Sequence, residues 1–362
     1  MPSDDARRPS PLRTPSALHR QLPQLVDKLP ALGLGRWPTA VRRLDALSEQ
    51  LGVELWVKSD DASSRDYGGN KVRKLELLLA AARKRGARRL LTVGGIGSNQ
   101  VLATAIHGAR ALGLPTRAVV VPQPATQKVL ANLERIRRLG VDLIPCKRRA
   151  AAPAVLWAEG RQEDTYTIGP GGSSPLGSLG YVAAGLELGE QVRAGELPPP
   201  DEVVLPLGSG GTAAGLWLGL AAAELSTRLV CVRVVERALC NGWLLRLLAR
   251  RCRSLLERHG VSLPPSGELE VVHEQAGPSY GTPTPAAEAA CQLAARQGSM
   301  ALETTYSGKA FAALIARAEG GKRAPGPAKR VLFWNTHSSA PTIEPTENAT
   351  LSGLDPRIAS WI

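Results

Sequence analysis

The stretch GGNKVRKLE places Lys71 directly after two glycines and an asparagine, at the start of a predicted helix spanning 72–86. The chain holds 45 Lys and Arg residues, so a solvated surface lysine is the ordinary interpretation, and Lys74 one turn later is an example. A lysine at a helix start differs, because desolvation and the helix dipole both disfavour an ammonium there and lower its pKa. Lys71 is therefore a candidate nucleophilic amine.

Three further glycine-rich loops precede predicted helices: Gly94–Gln100, Gly169–Ser174 and Gly208–Thr212. The last of them follows a buried strand predicted at 202–207, so its backbone N–H groups would form an anion site at the positive end of the next helix. The loop has no GKS or GKT tripeptide and is not a Walker loop. The residues of this predicted cradle are Gly208, Ser209, Gly210, Gly211 and Thr212.

Two cofactor classes fit this loop. The pattern G-x-G-x-x-A, ending at Ala213, with Glu236 near the end of the next strand, would suit a nicotinamide or flavin oxidoreductase. Pyridoxal phosphate instead needs a lysine for covalent attachment and an anion cradle for one phosphate. Only pyridoxal phosphate gives the lysine of GGNK a role. A third alternative is that the loop begins a helix and binds nothing.

Five motifs in order, GGNKVRKLE, GGIGSNQ, GGSSPLGSLGYV, GSGGT and YSGKA, resemble the D-cysteine desulfhydrase and 1-aminocyclopropane-1-carboxylate deaminase family. The likeness runs from about residue 35 to 336. It implies pyridoxal 5'-phosphate as cofactor, a small amino acid as substrate and a tryptophan-synthase-β-like fold. The expected fold class is α/β, with two domains that each contain a twisted, mainly parallel sheet flanked by helices, as in fold type II enzymes.

The resemblance also implies roles for individual residues. Lys71 would hold the cofactor and then remove the substrate α-proton. Ser98, Asn99 and Gln100 would bind the substrate carboxylate at a helix start, and Asn99 would also reach the cofactor O3′. The remaining implied residues are Tyr306 and Tyr280 beside the substrate, Asn70 in the cofactor site and Thr336 at the pyridine nitrogen.

The residues near the ring indicate the branch of the family. SNQ (98–100) resembles the deaminase, but Ser307 stands where that enzyme has an acid, and Thr336 resembles the desulfhydrase. A neutral hydroxyl at the pyridine nitrogen makes the cofactor a weaker electron sink than a carboxylate would. Opening a cyclopropane ring needs a strong sink, whereas loss of a good leaving group from Cβ needs it less, so we expect α,β-elimination that yields a keto acid and ammonia. 1-Aminocyclopropane-1-carboxylate deamination is the alternative. His337, Ser338 and Ser339 replace the usual glycines and would narrow the pocket, which leaves room for changed lyase or racemase chemistry.

Predicted strands and helices alternate along the chain, which favours parallel sheets with helical crossovers. We expect a flexible tail at 1–20, a larger cofactor-binding domain at 21–70 plus 170–362, and a smaller inserted domain at 71–169. The predicted strands lie at 54–58, 88–95, 116–122, 141–146, 202–207, 228–236, 271–274, 301–304 and 330–336. The predicted helices lie at 44–52, 72–86, 98–113, 129–140, 213–225, 285–298 and 307–321, with another following the loop that begins at 168.

Bulk properties narrow the class further. Net charge is +13, but the arginines are scattered and not interleaved with aromatics, so nucleic acid is not an expected partner. No run approaches 18 apolar residues, and no signal peptide opens the chain, so a membrane is not expected either. Five scattered cysteines and no histidine pair indicate a cytoplasmic protein without a metal site. The family resemblance suggests a homodimer.

Overall fold

The computed structural model describes residues 16–238, 240–321, 328–340 and 353–362. Its strands are β1 (Val41–Arg43), β2 (Glu54–Ser59), β3 (Arg89–Gly95), β4 (Thr116–Val121), β5 (Asp142–Pro145), β6 (Thr165–Ile168), β7 (Glu202–Leu207), β8 (Arg228–Arg233), β9 (Leu269–Val272) and β10 (Arg330–Asn335). Its α-helices are α1 (Ala17–Gln21), α2 (Asp45–Leu51), α3 (Asn70–Lys84), α4 (Asn99–Leu112), α5 (Gln127–Arg138), α6 (Ala152–Glu159), α7 (Pro175–Arg193), α8 (Gly211–Ala222), α9 (Gly242–Glu257), α10 (Pro285–Gly298), α11 (Ser307–Gly321) and α12 (Pro356–Ala359).

The strands form two sheets. The six-stranded sheet has the order β1-β2-β10-β7-β8-β9, parallel except for the antiparallel pair β1–β2. The four-stranded sheet has the order β5-β4-β3-β6 and is parallel throughout. The predicted α/β class with two mainly parallel sheets is confirmed. The four-stranded sheet is built from one continuous segment between β2 and β7, while the predicted domain limits stay a prediction.

Both sheets are covered on both faces, which is why their central strands are largely apolar. Helices α7, α8 and α9 pack on one face of the larger sheet, and α2, α10 and α11 pack on the other. Helices α3, α4 and α5 cover one face of the smaller sheet and α6 covers the opposite face. This layering directs the carboxyl ends of the parallel strands, and the loops that follow them, towards a common cleft.

Four sequence expectations need correction. Helix α9 was not among the predicted elements, although its buried Leu245, Ala249, Cys252 and Leu256 follow a helical spacing. Residues 301–304 form no strand, because the Glu303 side chain turns back to accept N–H groups at the start of α11. Strand β8 ends at Arg233 rather than at residue 236. The predicted tail lies outside the described residues up to residue 15, but residues 17–21 form a helix that packs into the core.

A buried ionic cluster anchors α3, the helix that carries Lys71. Arg73 Nε and Nη2 donate to the two carboxylate oxygens of Asp60 over 2.9 and 2.8 Å. Arg73 also donates to Glu187 on α7 over 3.0 and 2.9 Å, and Lys58 Nζ donates to Glu187 over 2.6 Å. All four side chains are at most 3% exposed. Two buried cations thus face two buried anions and fix α3 against β2 and α7.

All five cysteines are free thiols. Among the helices of the described chain, none combines the length and apolar character that crossing a bilayer demands.

Candidate active site

A cavity of about 780 Å³ lies between the carboxyl ends of the strands of the two sheets. Its wall includes residues from all four glycine-rich loops. Gly211 is the one site residue predicted from sequence that does not line the cavity. The predicted site residues that line it are Asn70, Lys71, Ser98, Asn99, Gln100, Gly208, Ser209, Gly210, Thr212, Tyr280, Tyr306 and Thr336. The fold therefore gathers segments that are separated by up to about three quarters of the chain.

Lys71 is the second residue of α3 and is half-buried at the cavity wall. Burial lowers the pKa of its amine to about 8, although the nearby Glu303 carboxylate opposes the shift. Lys71 Nζ donates to Asn70 Oδ1 over 2.7 Å, and Asn70 Nδ2 donates to Thr212 Oγ1 over 3.0 Å. This chain of bonds links the amine to the GSGGT loop, and near pH 8 a substantial fraction of the amine is neutral.

Gly69 explains how the lysine loop comes so near the end of β10. Its φ is +86°, and a Cβ added to it would lie 2.8 Å from the Thr336 carbonyl oxygen and 2.7 Å from that of His337. The N–H of Asn70 donates to the Thr336 carbonyl over 3.2 Å. Only glycine satisfies both the positive φ and the close approach, so Lys71 and Thr336 are brought to the same wall.

The GSGGT loop forms the predicted cradle at the start of α8. Gly210 has a φ of +86°, and Gly211 N–H donates to Ser173 Oγ over 3.0 Å. Ser173 Oγ lies 2.7 Å from Ser209 Oγ, so two hydroxyls from different loops meet here. Ser173 was not singled out from sequence, although it lies in the third glycine-rich loop. Backbone N–H groups, hydroxyls and a helix start suit an anion.

Lys74 was interpreted as a solvated lysine, and this is wrong. Its side chain is 1% exposed, and its Nζ donates to the Gly171 carbonyl over 3.1 Å and to Ser173 Oγ over 3.5 Å. Burial, together with the positive charge of Lys71, holds its pKa well below the usual range. A second amine therefore stands behind the anion cradle, and its sequence context gave no sign of this.

Ser98 and Asn99 begin α4. Ser98 Oγ accepts the N–H of Gln100 over 3.1 Å, so the predicted helix cap is confirmed. Asn99 Oδ1 accepts hydrogen bonds from Tyr67 Oη over 2.8 Å and from Asn132 Nδ2 over 2.9 Å. With its oxygen occupied twice, Asn99 has its amide N–H₂ group left to donate into the cavity.

Tyr306 and Tyr280 lie together beside Gly208, the first residue of the GSGGT loop. Tyr306 Oη donates to Tyr280 Oη over 2.7 Å, and the ring centroids are 5.9 Å apart. The Tyr306 ring packs on Gly208, where an added Cβ would come within 2.9 Å of it. Burial raises the pKa of both phenols, that of Tyr306 well above its usual range. They are therefore hydrogen-bond donors and acceptors near neutral pH, not phenolate bases.

The residues after β10 enter the wall as side chains. His337 Nε2 accepts a hydrogen bond from Lys128 Nζ over 2.9 Å. Burial and the Lys128 charge lower the pKa of His337 to about 4, so its imidazole is neutral at pH 7. Ser338 Oγ accepts the N–H of Gly68 over 3.0 Å, and Ser339 bonds to the Asp61 carbonyl. His337 and Ser338 line the cavity and Ser339 does not, so the expected narrowing by all three residues stays a prediction.

Glu303 is a wall residue that sequence reasoning missed. Its carboxylate accepts the N–H groups of Thr305, Tyr306 and Ser307 over 2.8, 2.8 and 3.0 Å. Burial disfavours the charge, but His337, Lys128 and these N–H donors outweigh burial and keep the Glu303 pKa below its ordinary value. The carboxylate thus holds the start of α11 and positions Tyr306 with it.

These residues fit pyridoxal phosphate. An amine of lowered pKa, a serine-lined helix start and an amide donor meet at one cavity, matching the aldehyde, phosphate and O3′ of the cofactor. Gln100 Oε1 is buried and accepts no hydrogen bond from the described residues, so a donor from a bound molecule would satisfy it. Glycine at 208 and 211 leaves no room for a side chain, since a Cβ at Gly211 would lie 2.5 Å from Ser173 Oγ.

Glu236, the acid that a dinucleotide site would need for a ribose, has one of its two carboxylate oxygens, Oε1, engaged by an arginine. Arg149 Nη1 donates to Glu236 Oε1 over 3.1 Å across the cleft. The two residues come from opposite sheets, Arg149 after β5 and Glu236 after β8. This pairing disfavours the oxidoreductase interpretation.

Comparisons with known proteins agree with the geometry. The profile of the family described as pyridoxal-phosphate dependent enzyme matches residues 32–336. Nocardicin C-9' epimerase of Nocardia uniformis subsp. tsuyamanensis is 35% identical over 324 residues, which is 86% of this chain and 93% of that protein. D-cysteine desulfhydrase of Serratia proteamaculans is 34% identical over 304 residues, 81% of this chain and 90% of that protein. The solved structure of a 1-aminocyclopropane-1-carboxylate deaminase homologue superposes with a TM-score of 0.73 at 28% identity, covering 90% of this chain and 95% of that one.

Proposed function

The chain belongs to the family of pyridoxal-phosphate dependent enzymes, and from that premise we propose that it catalyses α,β-elimination on a small amino acid, as a D-cysteine desulfhydrase-like lyase. The observation that carries the proposal is the absence of an available carboxylate beside the expected ring position in the described chain. Ser307 is buried and accepts the Glu303 N–H, while the Glu303 carboxylate is occupied by three backbone N–H groups. Thr336 is then the residue for the pyridine nitrogen.

When bound, pyridoxal phosphate withdraws electrons from the substrate Cα and so acidifies its proton. The residues of the chain do the rest. Lys71 would hold the cofactor and, once released, take the α-proton on its neutral amine. The start of α4, at Ser98 and Asn99, would bind the substrate carboxylate, since backbone N–H groups and the helix dipole favour an anion. Tyr306 donates its hydroxyl hydrogen to Tyr280, so Tyr280 would donate the hydrogen bond to the departing Cβ substituent and Tyr306 would orient it.

The overall reaction balances without a further reactant. The Cα–H bond and the bond from Cβ to the leaving group break, the leaving group departs with a proton, and water hydrolyses the remaining fragment. For D-cysteine the products are pyruvate, ammonia and hydrogen sulfide.

The test is the visible absorption of the purified protein loaded with pyridoxal phosphate, recorded before and after adding D-cysteine, D-serine and 1-aminocyclopropane-1-carboxylate in turn. We expect a band that D-cysteine or D-serine perturbs while a keto acid accumulates. Lys71→Ala should abolish the band, whereas Lys84→Ala, an exposed lysine on the same helix, should leave it intact. A band that survives in Lys71→Ala, or a saturated protein without one, would refute the proposal. A response to 1-aminocyclopropane-1-carboxylate alone would select the deaminase alternative.

Epimerisation at Cα is the second candidate, supported by the 35% identity to nocardicin C-9' epimerase. It begins with the same proton removal by Lys71 but breaks no bond at Cβ. In deuterated water an epimerase would exchange the α-hydrogen and invert the substrate without releasing keto acid. Proton NMR of the same reaction mixtures therefore separates the two candidates.

We also propose a cytoplasmic homodimer. The free state of all five cysteines supports a reducing compartment. The family resemblance supports the dimer, which light scattering coupled to gel filtration would test: a mass near 38.3 kDa would contradict it.

A further inference from the structure

Charged groups that are not assigned to the reaction also line the cavity. Arg149, at the start of the short helical turn after β5, presents its guanidinium 5.1 Å from the Tyr280 ring centroid. Its Nη1 donates to Glu236 and its Nη2 donates to the Pro122 carbonyl over 3.0 Å. Each of these nitrogens carries a second N–H. Arg149 is 35% exposed and lines the cavity, so it can bind another acceptor.

Glu236 provides the complementary charge. Its Oε1 accepts from Arg149, and its Oε2 accepts no hydrogen bond from any described residue. The side chain as a whole is 41% exposed and lines the cavity, and a carboxylate oxygen without a donor there calls for an explanation. Together the two side chains offer the free N–H groups of the Arg149 cation and, beside them, the Glu236 carboxylate oxygen that has no donor.

The wall that leads to this pair is continuous with the proposed catalytic site. The Tyr306 ring packs on Gly208 at the anion cradle, Tyr280 accepts the Tyr306 hydroxyl hydrogen, and Arg149 stacks on Tyr280. The pair therefore adjoins the tyrosines on the same cavity wall, and this is where we place the distal end of a substrate side chain. The substrate's own carboxylate has a separate proposed seat at the start of α4.

We propose that Arg149 and Glu236 bind the distal carboxylate and ammonium of an amino acid whose β-substituent ends in a second amino-acid head group. The inference rests on the proposed function and specifies its substrate class: thioethers or ethers such as lanthionine. Elimination from lanthionine breaks the Cα–H bond and one Cβ–S bond. With one water consumed, it yields pyruvate, ammonia and cysteine, so no oxidant or reductant is needed.

The test compares two thioethers on the pyridoxal-phosphate-loaded protein. meso-Lanthionine offers both chiralities at its two ends and carries the distal head group, whereas racemic S-methylcysteine has the same Cβ–S bond without it. We expect the half-saturating concentration, read from the cofactor absorption, to be at least about tenfold lower for lanthionine than for S-methylcysteine. One charge-assisted hydrogen bond supports a ratio of this size. Lanthionine should also raise the melting temperature more than S-methylcysteine does, a readout independent of turnover.

Arg149→Gln and Glu236→Gln should each remove the preference for lanthionine while leaving the S-methylcysteine response in place. The control is Arg117→Gln, which breaks ion pairs of Arg117 with Asp142 and Glu159 outside the cavity and should leave the preference unchanged. The charge-swapped double variant Arg149→Glu/Glu236→Arg keeps an ion pair across the cleft, so it should fold even if the single variants do not. It should nevertheless lose the preference, because the head group would meet reversed charges.

The outcomes separate the two proposals. Equal half-saturation by both thioethers in the wild type, or a preference that persists in Arg149→Gln and in the swapped variant, overturns the recognition of a distal head group. If the swapped variant still prefers lanthionine, the ion pair of Arg149 and Glu236 only holds the two sides of the cleft together and does not bind the head group. No spectral response to either thioether or to D-cysteine, with no keto acid formed, instead overturns the proposed function itself.

Discussion

Replacing Asp60 by asparagine would disrupt the buried cluster that anchors α3. Asp60 is fully buried and its carboxylate accepts five hydrogen bonds, from Thr39 Oγ1, Arg73 Nε and Nη2, Tyr181 Oη and Trp334 Nε1, at 2.7–2.9 Å. An asparagine side chain keeps one acceptor oxygen and turns an N–H₂ group towards donors. It also leaves the cations of Lys58 and Arg73 with only the Glu187 carboxylate.

The expected loss of unfolding free energy is about 3–5 kcal/mol, the range for breaking one side of a buried ion pair. The pKa of Asp60 indicates the same sign. Burial raises it, but Arg73, Lys58 and the hydrogen bond from Tyr181 outweigh burial and lower the pKa from 3.8 to about 2. That difference corresponds to roughly 2 kcal/mol of stability at neutral pH. Because the folded-state pKa is the lower one, this stability is present above pH 3.8 and is lost as the pH falls towards 2.

The neighbouring Asp61 is a matched control of opposite sign. Burial raises its pKa from 3.8 to about 6, and its Oδ1 is buried without a hydrogen-bond partner among the described residues. The folded state therefore resists ionisation of Asp61, and its charge destabilises the protein at pH 7. Asp61→Asn should stabilise the fold at pH 7 by about 1–2 kcal/mol, allowing for part exposure of the side chain, and should have no effect below about pH 4.

Urea unfolding followed by tryptophan fluorescence measures both effects, since Trp334 itself donates to Asp60. For a slope of roughly 3 kcal/mol per molar urea, Asp60→Asn should lower the midpoint by about 1 M or more at pH 7. Asp61→Asn should raise it. If Asp60→Asn costs less than about 1 kcal/mol, or if both variants are destabilised alike, the partition of charges assigned to this cluster is wrong.

Three further outcomes follow from the site. Because the pKa of Lys71 is about 8, the rate at which cofactor-free protein takes up pyridoxal phosphate should rise about tenfold per pH unit below 8 and level off above it, as measured by stopped-flow absorbance. Gly211→Ala would put a methyl group 2.5 Å from the Ser173 hydroxyl and should weaken cofactor binding at least about tenfold in a spectral titration, whereas Gly169→Ala, with no atom within 4 Å, should not. Tyr306→Phe breaks the 2.7 Å bond of the tyrosine pair and should lower kcat by about 10²-fold without changing the cofactor affinity; an unchanged kcat would remove this phenol from the reaction.

Much of the fold was accessible from sequence because it depends on short-range features. Strand β7 matched its predicted limits, 202–207, since a short apolar run between polar residues specifies a buried strand. Ser98 was expected to cap α4 and does, because capping involves only the next two residues. Helix α9 was missed although its periodicity was present, since its four arginines interrupt the apolar spacing.

The candidate site was accessible for a related reason. Each glycine-rich loop precedes a helix, three of the four follow a strand, and parallel strands bring their carboxyl ends to one edge. The sequence could therefore assign Lys71, the 98–100 segment and the 208–212 loop to one cleft. It could not predict that Lys74 is buried, because the Lys74 amine donates to the Gly171 carbonyl, which lies 97 residues away in the chain.

What the sequence alone determined is thus most of the elements, their alternation and the loops that meet at the cleft, because backbone propensity and apolar spacing depend on near neighbours in the chain. The tertiary structure decided which charges are paired. Asp60 and Asp61 are adjacent and chemically identical, yet one meets Arg73 and the other meets none of the described cations closely enough to form an ion pair. Arg149 and Glu236 meet across 87 residues. Burial and Coulomb interactions depend on distance in space, so pKa values and recognition at the cavity emerge only once the two sheets face each other.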